Sequence, residues 1–213
     1  MRVWGTDMGN KRPAFKTNTV FHVYNHGNGD DNIFREEENY RYFLKRYAHY
    51  IYPVAATYAF CLLPNHFHFM LKIRTEEKLT EFYREKSPKK DPQSFKNFAD
   101  LVSRKFKNFL ISYLKSFNNR YDRKGSLFLD NIRRKPVTNK NYYTHLVSYI
   151  HQNPVSHGFV NDPADWPFSS YSIILSRKQT QLERKEVLKW FGGIKSYKEM
   201  NQREPEINTE EFY

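Results

Sequence analysis

The stretch VAATYAFCLLPNHFHFMLKI (Val54–Ile73) decides the fold. Its first ten residues are almost all apolar, and from His66 onward polar and apolar side chains alternate, which is typical of β-strands. The Pro-Asn pair between the two halves indicates a tight turn. The stretch therefore predicts two neighbouring antiparallel strands. Cys61, the single cysteine of the chain, is expected to be buried in the first strand.

Hydrophobic periodicity outside this stretch predicts further elements. We expect strands over 19–26 and 126–137, and helices over 36–50, 97–117, 139–153 (ended by Pro154) and 178–190. We expect 74–96 to be mostly an exposed connection and the last twenty residues to be loose. Strands joined by a hairpin, with helices between the others, predict an α+β protein with an antiparallel or mixed sheet.

Composition favours a polyanionic partner. The chain has 213 residues and a formal net charge of +12, and 17% of its residues are aromatic. Basic side chains gain affinity for phosphates by releasing counterions, and exposed rings can stack on unpaired bases, so single-stranded nucleic acid is the favoured partner. A merely basic protein is the alternative. Residues 1–16 contain no long apolar stretch, so we expect neither a signal peptide nor a membrane span, and a soluble, cytoplasmic protein.

Two histidines on the alternating strand are candidate metal ligands. His66 and His68 lie two residues apart, so their side chains share one face of the strand. Phe67 and Phe69 point the other way, toward the expected core, which leaves the histidines on the face expected to be open. Two neutral imidazoles on one face can chelate a divalent cation. Structural or solvated histidines are the alternative.

A tyrosine and an asparagine on the fourth predicted helix are also candidates. Tyr149 and Asn153 are four residues apart and share one helical face, where the phenol could act as a nucleophile and the carboxamide oxygen as a metal ligand. The alternative is a packing tyrosine followed by an asparagine cap before Pro154. His151 projects to a different side of the helix and is a weaker candidate ligand.

Six sequence blocks occur in one order along the chain. They are FHVYNHGN (21–28), IF with ENYRYFL (33–44), AFCLLPNHFHFML (59–71), KGSLF (124–128), YIHQNPVSHGFV (149–160) and WPFSSY (166–171). Together they resemble the single-tyrosine HUH transposases, which include insertion-sequence transposases and REP-associated tyrosine transposases. The resemblance implies a ferredoxin-like nuclease core of four to five strands over 17–175, with extensions over 1–16 and 176–213.

The resemblance also implies roles for the candidate residues. His66 and His68 match the two metal-ligating histidines, Tyr149 the nucleophile, and Asn153 the third ligand of the REP-associated branch, where the insertion-sequence branch tends to use glutamine. The expected cofactor is Mg²⁺ or Mn²⁺. The expected activity is cleavage and rejoining of single-stranded DNA at hairpins or repeats through a 5′-phosphotyrosine. His26 departs from the pattern, since the family commonly has arginine there.

Clustered basic residues are the expected contacts to the DNA backbone. They are Arg104, Lys105, Lys107, Arg120, Arg123, Lys124, Arg133, Arg134 and Lys135. A homodimer is possible, because family members occur both as dimers and as monomers. One alternative function is a catalytically inactive module that binds single-stranded nucleic acid on the same scaffold. A zinc hydrolase is a weaker alternative, because the chain lacks a helical His-Glu pair and a cysteine framework.

Overall fold

A four-stranded antiparallel sheet forms the centre of the molecule. The computed structural model describes residues 13–29, 31–86, 97–129 and 131–203. The strands are β1 (Val20–His26), β2 (Ala55–Leu63), β3 (His66–Ile73) and β4 (Arg133–Val137), in the order β2-β3-β1-β4. All neighbouring strands run antiparallel. The predicted α+β class and the hairpin between β2 and β3 are therefore confirmed.

Helices cover both faces of this sheet. They are α1 (Glu37–Ile51), α2 (Glu76–Lys86), α3 (Phe98–Arg120), α4 (Tyr142–Ser156), α5 (Tyr171–Leu175), α6 (Arg184–Trp190) and α7 (Ile194–Gln202), with a short 3-10 helix at Pro163–Asp165. Among the described residues, no helix is both long and apolar enough to cross a membrane.

One face of the sheet packs on α1 and α3 through aromatic side chains. The Phe43 ring of α1 lies 5.1 Å from that of Phe67 and 4.7 Å from that of Phe109 on α3, measured between ring centroids. Tyr47 stacks on Phe69 at 4.2 Å. Offset and edge-on ring pairs of this kind add about 1 kcal/mol each beyond the area they bury. The predicted direction of Phe67 and Phe69 toward the core is confirmed.

The opposite face, which carries the histidines, is not open as predicted. Helix α4 packs across β2 and β3, and His66 and His68 are only 6% and 1% exposed. The alternation of residues along a strand shows which side chains share a face, but not what covers that face. The expected open face is therefore wrong, and the histidines lie in a buried layer between sheet and helix.

Three predicted boundaries are wrong. The expected connection over 74–96 contains α2, whose acidic first turn and basic last turn stabilise a helix; residues 87–96 lie outside the described part. Helix α4 continues past Pro154 to Ser156, because the proline removes only its own backbone donor and the His157 N–H still donates to the Asn153 carbonyl oxygen. The predicted strand over 126–137 is regular only over β4.

The C-terminal region also differs from its expectation. The helix expected over 178–190 begins only at Arg184. The last twenty residues were expected to be loose, yet α7 is a regular helix whose Tyr197 and Asn201 are fully buried. Two buried side chains four residues apart share one helical face, and that face packs on α4. Residues 204–213 of that stretch lie outside the described part of the chain.

Candidate active site

Five of the eight histidines converge on the sheet face beneath α4. They are His22 and His26 on β1, His66 and His68 on β3, and His157 at the end of α4. The register of β1 with β3 sets His26 opposite His66, and Tyr24 opposite His68. Residues paired across an antiparallel ladder point to the same face, so the alternating positions of the two strands bring the imidazoles together.

The His66 ring is held with one nitrogen available as a ligand. Its Nδ1 lies 2.7 Å from Oδ1 of Asn65, which can only accept, so Nδ1 carries the proton. The lone pair is then on Nε2, a buried atom for which the described residues provide no hydrogen-bond partner of normal geometry. A protonated nitrogen held by a neighbouring oxygen, with the other free to ligate, is the usual arrangement of a metal-binding histidine.

His68 has a second imidazole as its neighbour. Its Nδ1 lies 2.9 Å from Nε2 of His22, and the two rings stack with centroids 5.1 Å apart. A proton on His68 Nδ1 directs that ring's lone pair to Nε2. His22 is fully buried, so this contact has no competition from water. His22 thus fixes the orientation of His68 as Asn65 fixes that of His66.

Helix α4 brings the two other candidates to the same place. The ring of Tyr149 meets His68 edge-on at 5.6 Å and His22 at 6.1 Å between centroids, and only 6% of this tyrosine is exposed. The amide nitrogen of Asn153 donates to the Tyr149 carbonyl oxygen at 2.8 Å, so its carboxamide oxygen is directed away from the helix backbone. This carboxamide also lies close enough to His66 to raise the pKa of that ring.

The environment keeps the two strand histidines neutral. Burial, with smaller effects from His157 and His26, lowers the pKa of His66 to about 3. Burial and the neighbouring His22 and His66 lower the pKa of His68 well below its ordinary value. The neutral imidazole is the form that can ligate a metal, so both candidate ligands are in that form throughout the physiological pH range.

A cleft of about 250 Å³ gives access to this cluster. It is lined by Tyr24, Asn25, His26, Gly27, Gly29, His66, His68, Leu129 and Arg133. Arg133 on β4 pairs with Tyr24 in the ladder, so its guanidinium is on the same face as the imidazoles. An anionic group entering the cleft would therefore meet a cation at its border and imidazoles at its base.

Gly27 shapes one wall of the cleft. A Cβ atom at this position would come within 2.2 Å of the backbone oxygen of Asp31, closer than any real contact. The backbone N–H of Gly27 donates to the carbonyl oxygen of Asn65 at 2.7 Å, which ties the end of β1 to the β2–β3 turn. The glycine therefore permits the backbone at Asp31 to pack against the end of β1, beside the turn that precedes His66.

His22 and Asn65 are candidate site residues that were not predicted from the sequence. The HVYNH alternation of 22–26 repeats the pattern of the HFH segment, and this is the signal that could have found His22. Its contact with His68 depends on the register of β1 with β3, which no local pattern contains. His151, the weaker candidate, is confirmed to point elsewhere: it is fully buried against Asn201 and Ser170.

The predicted DNA-contacting residues do not form one surface. Arg133 lies at the cleft, while Arg104, Lys107 and Arg134 line a separate cleft between α3 and β4. Others are engaged within the protein. Two of them form ion pairs: Arg120 with Glu36 at 2.5 Å, and Arg123 with Asp31. Two others lie over aromatic rings: Lys105 over Phe82, and Arg134 over Phe15. Lys124 is exposed and Lys135 is partly buried on β4.

The candidate donor set suits a divalent cation. Within the described residues, no group of three or more His, Cys, Asp or Glu side chains is arranged to hold a metal ion. The predicted set instead combines two imidazole nitrogens with one carboxamide oxygen. Mixed nitrogen and oxygen donors accept Mn²⁺ as well as Mg²⁺, and the oriented Nε2 of His66 is consistent with such a ligand.

Comparison with known proteins supports the family resemblance. The chain is 49% identical over 41 residues to the REP-associated tyrosine transposase of Escherichia coli (strain K12), a match covering 19% of this chain and 25% of the relative. It is 26% identical over 129 residues to a putative REP-associated tyrosine transposase of Haemophilus influenzae, covering 54% of this chain and 58% of the relative. The predicted resemblance is confirmed. No family model matches the chain.

A solved structure shares the fold. It is a REP-associated tyrosine transposase bound to a REP hairpin, with a TM-score of 0.53 and 20% sequence identity. The match covers 79% of this chain and 85% of the other. The α+β sheet architecture is therefore that of a REP-associated tyrosine transposase. The chain spans about a quarter and somewhat over half of the length of the two curated relatives.

Proposed function

We propose that this protein is a metal-dependent DNA transposase that cuts and rejoins single-stranded DNA through a covalent bond to Tyr149. The observation that carries the proposal is the convergence of His66, His68, Tyr149 and Asn153 on one side of the sheet. The same four residues match the functional positions of the family that the chain resembles. The DNA substrate proposed is a hairpin or a dispersed repeat, as the name of the similar hairpin-bound structure suggests.

The proposed reaction is a transesterification at phosphorus. The phenol of Tyr149 loses its proton, and its oxygen forms a bond to the phosphorus while the bond to the 3′ oxygen breaks. The departing 3′ oxygen takes up a proton, and the 5′ phosphate remains on Tyr149. The reverse attack by a 3′-hydroxyl restores a phosphodiester without a nucleotide cofactor, because the phosphotyrosine conserves the bond energy.

The residues around the tyrosine have separate tasks in this proposal. His66, His68 and Asn153 would hold Mg²⁺ or Mn²⁺, which when bound polarises a non-bridging phosphate oxygen. His22 and Asn65 orient the two imidazoles through the contacts at 2.9 and 2.7 Å. Arg133 supplies positive charge where the DNA backbone would enter the cleft.

The test is adduct formation with hairpin DNA carrying a different dye at each end. With Mn²⁺ or Mg²⁺, we expect a protein–DNA adduct that survives denaturing electrophoresis and carries the 3′ dye, because the 5′ phosphate stays on the protein. Tyr149→Phe should abolish it, while Tyr142→Phe, a tyrosine 41% exposed on the same helix, should not. EDTA should also abolish the adduct, and His66→Ala should reduce it strongly.

Three results would contradict the proposal. An adduct that persists in Tyr149→Phe would mean that another residue is the nucleophile, and an adduct carrying the 5′ dye would mean the opposite polarity of cleavage. Binding of the hairpin without cleavage in either metal would favour the alternative, a catalytically inactive module for single-stranded nucleic acid. The buried and oriented imidazole of His66 argues against that alternative, because a binding surface has no need for it.

A further inference from the structure

The side of α4 that faces away from Tyr149 contains a buried polar network that the proposed reaction does not use. His151 lies two residues after Tyr149, a rotation of about 200° around the helix, so it points away from the cleft. Its ring is fully buried. Its Nδ1 lies 3.0 Å from Oδ1 of Asn201 on α7, and its Nε2 lies 2.8 Å from Oγ of Ser170.

Backbone groups fix the donors and acceptors at the two ends of this network, and this sets the direction of the hydrogen bonds between them. The Asn201 amide nitrogen donates to the Tyr197 carbonyl oxygen at 2.8 Å, so the amide oxygen faces His151. His151 then donates from Nδ1, and its Nε2 accepts from the Ser170 hydroxyl at 2.8 Å, a shorter contact than the 3.2 Å between that hydroxyl and the Phe60 carbonyl oxygen. Ser170 Oγ in turn accepts from the backbone N–H of Phe60 at 2.8 Å. An unbroken chain of hydrogen bonds thus runs from β2 through α4 to α7.

Two further contacts tie α7 to α4. The Gln152 side chain donates to the backbone oxygen of Asn201. The Tyr197 hydroxyl lies 3.2 Å from His151 Nδ1 and donates to the Tyr171 carbonyl oxygen at 3.3 Å. A buried network with all its members satisfied specifies one arrangement, because any rotation of α4 would leave several polar groups without partners.

We propose that His151, Ser170 and Asn201 are positioning residues that set the rotation of α4, so that α7 aims Tyr149 and Asn153 at the strand histidines. The inference rests on the proposed function of Tyr149. It assigns a task to the C-terminal extension, which supplies Asn201. A misplacement of about 1 Å can cost roughly 100-fold in rate even when it originates far from the reacting atoms.

Asn201→Leu tests the inference, because leucine has a similar size and makes no hydrogen bond. The control is Glu199→Gln, an exposed change on the same helix. We would measure adduct formation in a single turnover, with the labelled hairpin at saturating concentration and at a temperature well below the melting transition. The expected result for Asn201→Leu is a rate constant on the order of 10- to 100-fold lower, with the final amplitude and the hairpin affinity unchanged.

A purely structural role would give a different pattern. Partial unfolding lowers the fraction of active molecules, so the amplitude would fall while the rate constant stayed native; that result would overturn the inference. Ser170→Ala, which removes one hydroxyl and little volume, should lower the rate constant in the same direction if Asn201→Leu does not fold. A native rate in both variants would also overturn the inference. Absence of any adduct with the native chain would instead overturn the proposed function itself.

Discussion

At the scale of single residues, His22 gives the most direct test of the proposed metal site. This residue was not predicted from the sequence. His22 touches His68 through a 2.9 Å contact between ring nitrogens, and both rings are buried. Partners that orient a metal-ligating histidine typically contribute 10- to 100-fold to metal affinity. In the proposed site His22 would orient a ligand without being one of the three proposed ligands itself.

We therefore expect His22→Ala to weaken Mn²⁺ binding by roughly 10- to 100-fold, because His68 would lose the neighbour that directs its lone pair. Titration calorimetry or the electron paramagnetic resonance signal of free Mn²⁺ measures this without DNA. His49→Ala is the matched control, since His49 is exposed on α1. Equal Mn²⁺ affinity in His22→Ala and the native chain would remove His22 from the site.

At the scale of secondary-structure elements, the turn at the end of β1 controls the cleft wall. A Cβ added at Gly27 would lie 2.2 Å from the backbone oxygen of Asp31, whereas a Cβ added at Gly29 would meet nothing within 4 Å. Overpacking of this kind typically costs 1–3 kcal/mol. A left-handed backbone at Gly29, with φ of 58°, costs about 1 kcal/mol for a non-glycine residue.

Gly27→Ala should accordingly lower the free energy of unfolding by about 2 kcal/mol or more, and by more than Gly29→Ala does. Urea denaturation of the two variants beside the native chain measures the difference. Equal losses for the two substitutions would show that the segments at Gly27 can separate without cost.

The secondary-structure elements differ in how well the sequence alone predicts them. The alternation over His66–Ile73, broken only at Met70, gives the correct strand, and the apolar stripe of 97–117 gives most of α3, because both patterns are local. Helix α7 has only short local signals, and its burial comes from α4, far away in sequence. The pairing of His66 with Asn153 was available only through family resemblance, because strand register and helix packing bring these residues together.

At the scale of the whole molecule, buried neutral histidines link folding to pH. Burial lowers the pKa of His66 and of His151 to about 3, and that of His68 well below its ordinary value of 6.5. Above pH 6.5 neither the folded nor the unfolded chain protonates these rings appreciably. Between about pH 6.5 and pH 3 the unfolded chain takes up protons that the folded chain excludes, so stability falls as the pH falls.

We expect the free energy of unfolding to drop by roughly 1 kcal/mol per buried histidine between pH 7 and pH 5.5. Urea denaturation at the two pH values, in the presence of EDTA to remove metal, measures this drop. His151→Phe should reduce this drop by roughly 1 kcal/mol, because it removes one of these buried rings. A free energy of unfolding that does not vary over this pH range would contradict the expected neutral burial.

The buried thiol of Cys61 has a practical consequence for following this protein during a reaction. It lies opposite His68 in the β2–β3 ladder, beneath α4, and burial raises the pKa of its thiol. Because the chain has no other cysteine, the native protein should react slowly with maleimide dyes. Glu199→Cys on the exposed side of α7 would then create one attachment point, and a fluorophore there would report whether α7 stays docked while DNA is cut.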